Sequence, residues 1–357
     1  MLIELIKDLV SIDSSTKTGA NRAVEFCADW LSKNDLKAKV LNNNGYKMLV
    51  CEIGSGNKTI IFNGHVDVVS GRPDQFFPNE ADGKLYGRGT ADMKAGVAAM
   101  MVALTELKKL PIGVKVQLQI VADEEIGGLN CTGYLVKNGF TGDFVICSEP
   151  TQLGIGLQAK GLMHFDIDID GKPAHSSRPW EGVNAIEKAY GVYLNILNLP
   201  FAKETSDFYD CPSINLAKIN AGEVYNKVPD KCIVSFDIRY LPKQDRNEII
   251  RQIESITDGN ILVRFSTVPV KTKPDDPYIS LLKPVIQKYT GYEPLVFGQH
   301  GTADTVYFSA LGIPVIEFGP CGFGWHGNEE YIVTESVEIY KDMLIDYIRE
   351  FVPPPLH

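Results

Sequence analysis

Residues 3–10 and 21–33 carry apolar side chains at helical spacing, and each predicts an amphipathic helix. Leu49-Val50-Cys51-Glu52-Ile53 and Thr59-Ile60-Ile61-Phe62-Asn63 are short apolar runs and read as strands. Residues 94–109 form a long Ala/Met/Leu stretch that predicts a buried helix, and Phe144-Val145-Ile146-Cys147 predicts another strand. In Val114-Lys115-Val116-Gln117-Leu118-Gln119-Ile120-Val121 apolar and polar residues alternate. That alternation predicts a strand with one wet face, antiparallel or at a sheet edge. Strands separated by helices otherwise imply a largely parallel sheet with helices on both faces.

From about residue 160 the pattern changes. The order becomes strand (162–170), helix (184–197), strand (213–220), strand (231–240), helix (244–256), strand (260–268). This βαββαβ order is ferredoxin-like and makes a complete small α+β unit. Pro274-Asp275-Asp276-Pro277 reads as a linker, after which helices 278–290, 302–310 and 335–350 and strand 313–318 resume the α/β pattern. The fold class is therefore α/β with an inserted α+β unit: residues 1–158 and 269–357 form one discontinuous domain and 159–268 the insertion. The proline-rich tail 352–357 is expected to fray.

Composition narrows the function. A formal charge of −10 argues against a nucleic-acid partner. The longest apolar runs fall far short of the ~18 residues that span a membrane, and the acid-bearing start 1–10 reads as the first helix of the fold, not as a leader. Seven scattered cysteines with no CxxC pair point to buried thiols in a reducing compartment, the cytoplasm.

The chemistry collects at element ends. His65 follows strand 59–62, and His326 lies beyond strand 313–318 in Gly322-Phe323-Gly324-Trp325-His326-Gly327. Asp92 immediately precedes the Ala-rich helix, Glu124 and Glu125 follow strand 114–121, and Glu149 follows strand 144–147. Open α/β sheets place ligand sites at such exits. Each piece has a plainer reading: His65 bonded to the nearby Asp67, Asp92 as a helix cap, Glu124-Glu125 as a solvated loop end. Together, two histidines and four carboxylates at one sheet end repel one another unless cations intervene. Mixed imidazole and carboxylate ligands suit zinc first, then cobalt or manganese.

Gly64-His65-Val66-Asp67, the run Tyr86 to Gly96, Asp123-Glu124-Glu125-Ile126-Gly127-Gly128 and Ser148-Glu149-Pro150-Thr151 resemble the co-catalytic zinc aminoacylase and exopeptidase family. That family includes acetylornithine deacetylase, succinyl-diaminopimelate desuccinylase and the glutamate-releasing carboxypeptidase. The resemblance implies two divalent ions. His65 and Glu149 would hold one, Glu125 and His326 the other, with Asp92 bridging through a cis peptide to Met93. It implies Asp67 orienting His65 and Glu124 as general base. The inserted unit resembles the family's lid and dimerisation domain, with His175 reaching a partner's site in a homodimer. Asn226 and Arg239 resemble substrate-contacting lid residues, and Gly301 and Thr302 the family's glycine-threonine loop. From residue types alone, His175 could instead cap helix 184–197, and Arg239 could answer Asp237. His164 reads as structural, and His300 is not an expected ligand. The run Pro173 to Ser177 with Gly182 to Ile186 looks closest to acetylornithine deacetylase. The resemblance thus implies hydrolysis of a small N-acyl amino acid. Alternatives within the family are a succinyl-amino-acid desuccinylase and a dipeptidase or carboxypeptidase acting on short peptides.

Overall fold

The computed structural model describes residues 1–351; the tail 352–357, expected to fray, lies outside the described residues. The chain divides into two compact units: residues 1–157, 272–297 and 303–357, and residues 158–271 with 298–302.

The first unit is built on a mixed sheet in which Ala38–Asn43, Tyr46–Gly54, Lys115–Val121, Thr59–His65, Phe144–Cys147, Val315–Glu317 and Ile155–Ala159 follow one another. Thr59–His65 pairs in parallel with both Lys115–Val121 and Phe144–Cys147, and Val315–Glu317 is parallel to Phe144–Cys147. Four strands therefore end at the same edge. Thr59–His65 is buried from Ile60 onward, because both faces of the sheet are covered. The helix Ala95–Leu107 is buried almost throughout, as an all-round apolar helix must be, and it packs against Thr334–Arg349.

The alternating strand behaves differently from the sequence expectation. Lys115–Val121 is antiparallel to Tyr46–Gly54 on one side, but it is central, not at an edge, and it has no wet face. Its glutamines are buried in hydrogen bonds: Gln117 donates to Glu52 (3.1 Å), and Gln119 donates to Gln117 (2.8 Å) and to the Phe140 carbonyl (3.0 Å). Buried amides are tolerated when satisfied, and hydropathy alone cannot distinguish them from a solvated face.

A small antiparallel sheet, Gly322–Phe323, Tyr331–Val333, Lys84–Tyr86 and Asn79–Ala81 in that order, was not legible. Its strands are two or three residues long. It matters because His326 lies in the loop of the 322–333 hairpin.

In the second unit the antiparallel sheet runs Ser213–Ala221, Lys231–Tyr240, Gly161–Asp170, Asn260–Thr267, the ferredoxin-like order. Phe165 and Phe236 stack at 5.1 Å at its core, beneath Ala185, Ala189 and Ile196 of the helix Ala185–Ile196. Asn184 caps that helix by accepting from the Ile186 N–H, so His175 is not its cap.

Candidate active site

His65 ends the strand Thr59–His65, Glu124 and Glu125 form the turn after Lys115–Val121, and Glu149 stands two residues beyond Phe144–Cys147. Asp92 occupies the turn Thr90–Lys94 ahead of Ala95–Leu107, and the Asp92–Met93 peptide is cis. These elements converge on one cluster. His65 Nε2 lies 3.0 Å from Asp92 Oδ1, 3.8 Å from Glu149 Oε1 and 4.0 Å from Glu124 Oε2. His326 Nε2 lies 3.2 Å from Asp92 Oδ2 and 3.3 Å from Glu125 Oε2. Two groups with metal-ligating atoms result, His65–Asp92–Glu149 and Asp92–Glu125–His326, and they share Asp92. Two ligands of one tetrahedral zinc, each bonded at ~2.0–2.1 Å, stand roughly 3.3 Å apart, close to most of these separations.

Asp67 links the two groups. Its backbone carbonyl faces His65 Nδ1 at 2.9 Å, and its Oδ2 accepts the Glu125 N–H at 3.0 Å. The ring is thus held mainly by the peptide of Asp67, with carboxylate Oδ1 at 3.6 Å. The Nδ1–H donated there leaves the Nε2 lone pair facing the cluster.

The electrostatics fit cations. Desolvation lifts the Glu124 carboxyl well above the carboxylate range; His65 opposes this, while Asp304 and Asp92 add to it. Desolvation followed by the Asp92 charge lifts Glu149 likewise. Burial works against protonated His65, yet hydrogen bonds to Asp67 and Asp92 raise its pKa well above the usual value, and Asp92 raises His326. Desolvation works against the Asp92 carboxylate, but His326 and His65 hold its pKa below the usual range. Glutamates driven to take up protons and imidazoles driven to keep them mark a site short of positive charge. Two dications would supply it, with the acids ionised and the imidazoles neutral.

The remaining sequence-derived candidates belong to the second unit. His175 is exposed, and its Nδ1 accepts the Ser177 N–H at 3.2 Å. That places the proton of the neutral ring on Nε2. His175 forms a backbone bridge with Lys227, and the adjacent Asn226 carbonyl accepts from Ser176 N–H at 3.1 Å. Arg239 donates through Nε to Asp237 (2.8 Å), the plainer of its two readings, and through Nη1 to Thr302 Oγ1 (3.2 Å). Gly301 is exposed beside Thr302. Asp237 also meets His164 at 3.2 Å, and His300 lies edge-on to Tyr209 at 5.6 Å.

Residues 61–350 match the model of the peptidase family M20/M25/M40. The chain belongs to this family. It is therefore a metal-dependent amidohydrolase or peptidase. A succinyl-diaminopimelate desuccinylase of Nitratiruptor sp. is 31% identical over 98% of this chain and all of its own length. A probable enzyme of the same name from Staphylococcus aureus (strain MRSA252) is 28% identical over 98% of each chain. Among solved structures, aminopeptidase PepT from Bacillus cereus superposes with a TM-score of 0.84 at 21% identity, over 98% of each chain. The metallo-carboxypeptidase Sso-CP2 of Sulfolobus solfataricus gives 0.82 at 20%, over 98% of this chain and 99% of its own. These structures share the family fold.

Sequence reasoning missed the acids beneath the M20 site. Asp123 closes the loop carrying Glu124 and Glu125 by accepting from Asn130 N–H (2.7 Å) and Cys131 N–H (3.2 Å). Asp304 is buried, accepts from the Thr132 hydroxyl, and occupies the space a Cβ on Gly128 would need. Gly128 also has φ +65, so glycine is required there twice over. Nothing in the local sequence separates such acids from solvated ones.

Proposed function

We propose that the chain hydrolyses the amide bond of a small N-acyl amino acid. The observation that carries this reading is the pair of three-residue groups sharing Asp92, with Glu124 a member of neither yet 4.0 Å from His65. His65, Asp92 and Glu149 would hold one divalent ion and Asp92, Glu125 and His326 the other; the donor set favours zinc, then cobalt or manganese. Such ions, when bound, supply Lewis acidity and make water a stronger acid. Glu124 takes the proton of the attacking water and delivers it to the leaving amine. His175, through its Nε2–H, donates to the carbonyl oxygen as negative charge develops. Arg239, held by Thr302 next to Gly301, pairs with the substrate carboxylate, while Asn226 stands by His175 at the opposite end of the Ser213–Ala221 and Lys231–Tyr240 hairpin. Buried thiols suit a cytoplasmic enzyme.

The second unit is also the natural place for a homodimer contact. Ile186, Tyr190 and Leu194 are exposed at helical spacing on Ala185–Ile196, and Ser213–Ala221 is an edge strand carrying exposed Ile219. His175 would then serve a partner's site. Mixing Glu124→Gln with His175→Ala subunits tests this, and heterodimers that recover no activity refute it.

An acetyl group is the first reading for the acyl moiety. The relatives named desuccinylases favour a succinyl group as the second. Purified enzyme with zinc or cobalt, assayed on N-acetyl and N-succinyl amino acids and on dipeptides, decides between them. Turnover of N-acyl amino acids above dipeptides is expected; cleavage of dipeptides alone would overturn the proposal.

A further inference from the structure

The two histidines of the cluster are held very differently. The His65 side chain is 1% exposed, on a central strand, with its ring braced by Asp67. The His326 side chain is 52% exposed and sits on a hairpin loop. Its backbone has φ +62, a conformation that a β-carbon disfavours. Something other than burial must hold it in place.

A buried ion pair lies behind it. Arg88 Nη1 donates to Glu330 Oε2 at 2.7 Å, with both side chains 3% exposed or less. Each partner also holds a ligand-bearing loop. Glu330 Oε1 accepts the backbone N–H groups of Ala91 (3.0 Å) and Asp92 (3.1 Å). Arg88 Nη2 donates to the carbonyls of His326 (3.3 Å) and Gly327 (3.0 Å). Gln75 adds Nε2 bonds to the carbonyls of Gly327 (3.0 Å) and Asn328 (3.2 Å). The short strands on either side keep the pair in register, with Tyr86 opposite Tyr331 and Gly87 N–H donating to the Glu330 carbonyl at 3.1 Å. Only a planar guanidinium can reach a carboxylate and two carbonyls at once; a lysine ammonium is a single point.

We infer that Arg88 and Glu330 are positioning residues that fix Asp92 and His326 relative to each other, and so set the affinity of the Asp92–Glu125–His326 site selectively. This rests on the two-ion reading above. Both residues act through the peptide backbone of ligands and touch no substrate. In the His65–Asp92–Glu149 site only Asp92 depends on the pair. In the other site two of three ligands do.

The test measures zinc binding by chelator competition for wild type, Arg88→Lys and Glu330→Gln, alongside far-UV circular dichroism of each. Arg88→Lys keeps the charge but not the fork; Glu330→Gln keeps one acceptor but not the charge. In both, the second equivalent should bind about 10- to 100-fold more weakly, the usual cost of losing an outer partner of a ligand. The first equivalent should change far less. Two equivalents at wild-type affinity in the folded variants, or an equal loss at both sites, overturns the inference. A wild type that binds only one ion instead refutes the two-ion reading, which is a separate outcome. If neither variant folds, Gln75→Met decides: it loses the donors to the 327 and 328 carbonyls and, away from the ligand loops, the acceptor of the Arg72 N–H. It should weaken the second equivalent alone, and wild-type binding by it overturns the inference.

Discussion

Replacing Asp67 by Asn should move metal affinity and apo stability in opposite directions. The Asp67 carboxylate accepts the Glu125 N–H at 3.0 Å and lies 3.6 Å from His65 Nδ1, so it serves both ligand groups. A hydrogen bond to a charged acceptor is worth about 1.5–3 kcal/mol and a neutral one about 1, so the Glu125 side loses about 0.5–2 kcal/mol, or about 2- to 30-fold in affinity. On the His65 side the Asp67 carbonyl still holds Nδ1 at 2.9 Å and only a charge 3.6 Å away is lost, so the cost stays at or below about 10-fold, the lower end for an outer partner of a ligand. Without metal the balance reverses. Asp67 Oδ1 is buried and has no hydrogen-bond partner among the described residues, and the Asp67 charge helps to push up the Glu124, Glu125 and Asp304 carboxyls. Removing that charge relieves repulsion. Chelator competition gives the two affinities, and thermal unfolding in excess chelator gives the apo stability. The variant should bind both ions more weakly yet unfold, when metal-free, no lower than wild type. Unchanged affinities with a destabilised apo protein would refute the reasoning and leave Asp67 a structural residue.

Other regions give independent checks. Desolvation works against the Asp346 carboxylate, but Lys288, Tyr289 and Arg349 together hold its pKa below the usual range. A depressed carboxylate stabilises above its unfolded pKa of about 3.9 and loses that contribution as pH falls through the folded value. Asp346→Asn should therefore lower urea stability at neutral pH by at most ~1 kcal/mol, since the partner Lys288 is 65% exposed. The difference should shrink steadily as pH falls below about 3.9 and through the depressed folded value; one that stays undiminished on acidification contradicts the ion-pair account. Burial pushes the Cys27 thiol up to about 12 and Cys51 to about 11, whereas Cys211 is exposed. Iodoacetamide on native protein should therefore label Cys211 first, and peptide mapping that finds Cys27 or Cys51 modified first would contradict the packing.

Legibility followed periodicity. The strand Lys231–Tyr240 and the helix Ala185–Ile196 are long and strongly patterned, and both were readable to within a residue or so. The short strands beside His326 and Lys84–Tyr86 have too few residues to show any period, so the small sheet was invisible. Gln117 and Gln119 looked like a wet face because a satisfied buried amide and a solvated one have the same letter. The cluster itself was readable because each of His65, Glu124, Glu125 and Glu149 stands just past an apolar strand. Its supports were not. Glu330 follows Asn328-Glu329 in a run that looks solvated, and its partner Arg88 lies far away in sequence and meets it only through the fold.

The central claim is that Glu124 is the base and that the acids and histidines around it bind the ions. It is tested most directly by turnover of an N-acyl amino acid at measured metal content, for Glu124→Gln beside Glu125→Gln. Glu124→Gln should keep both ions and fall ~10²–10⁴-fold in turnover, whereas Glu125→Gln should lose affinity for one ion. Reversed phenotypes, or a Glu124→Gln enzyme that turns over normally with both ions bound, would contradict the account.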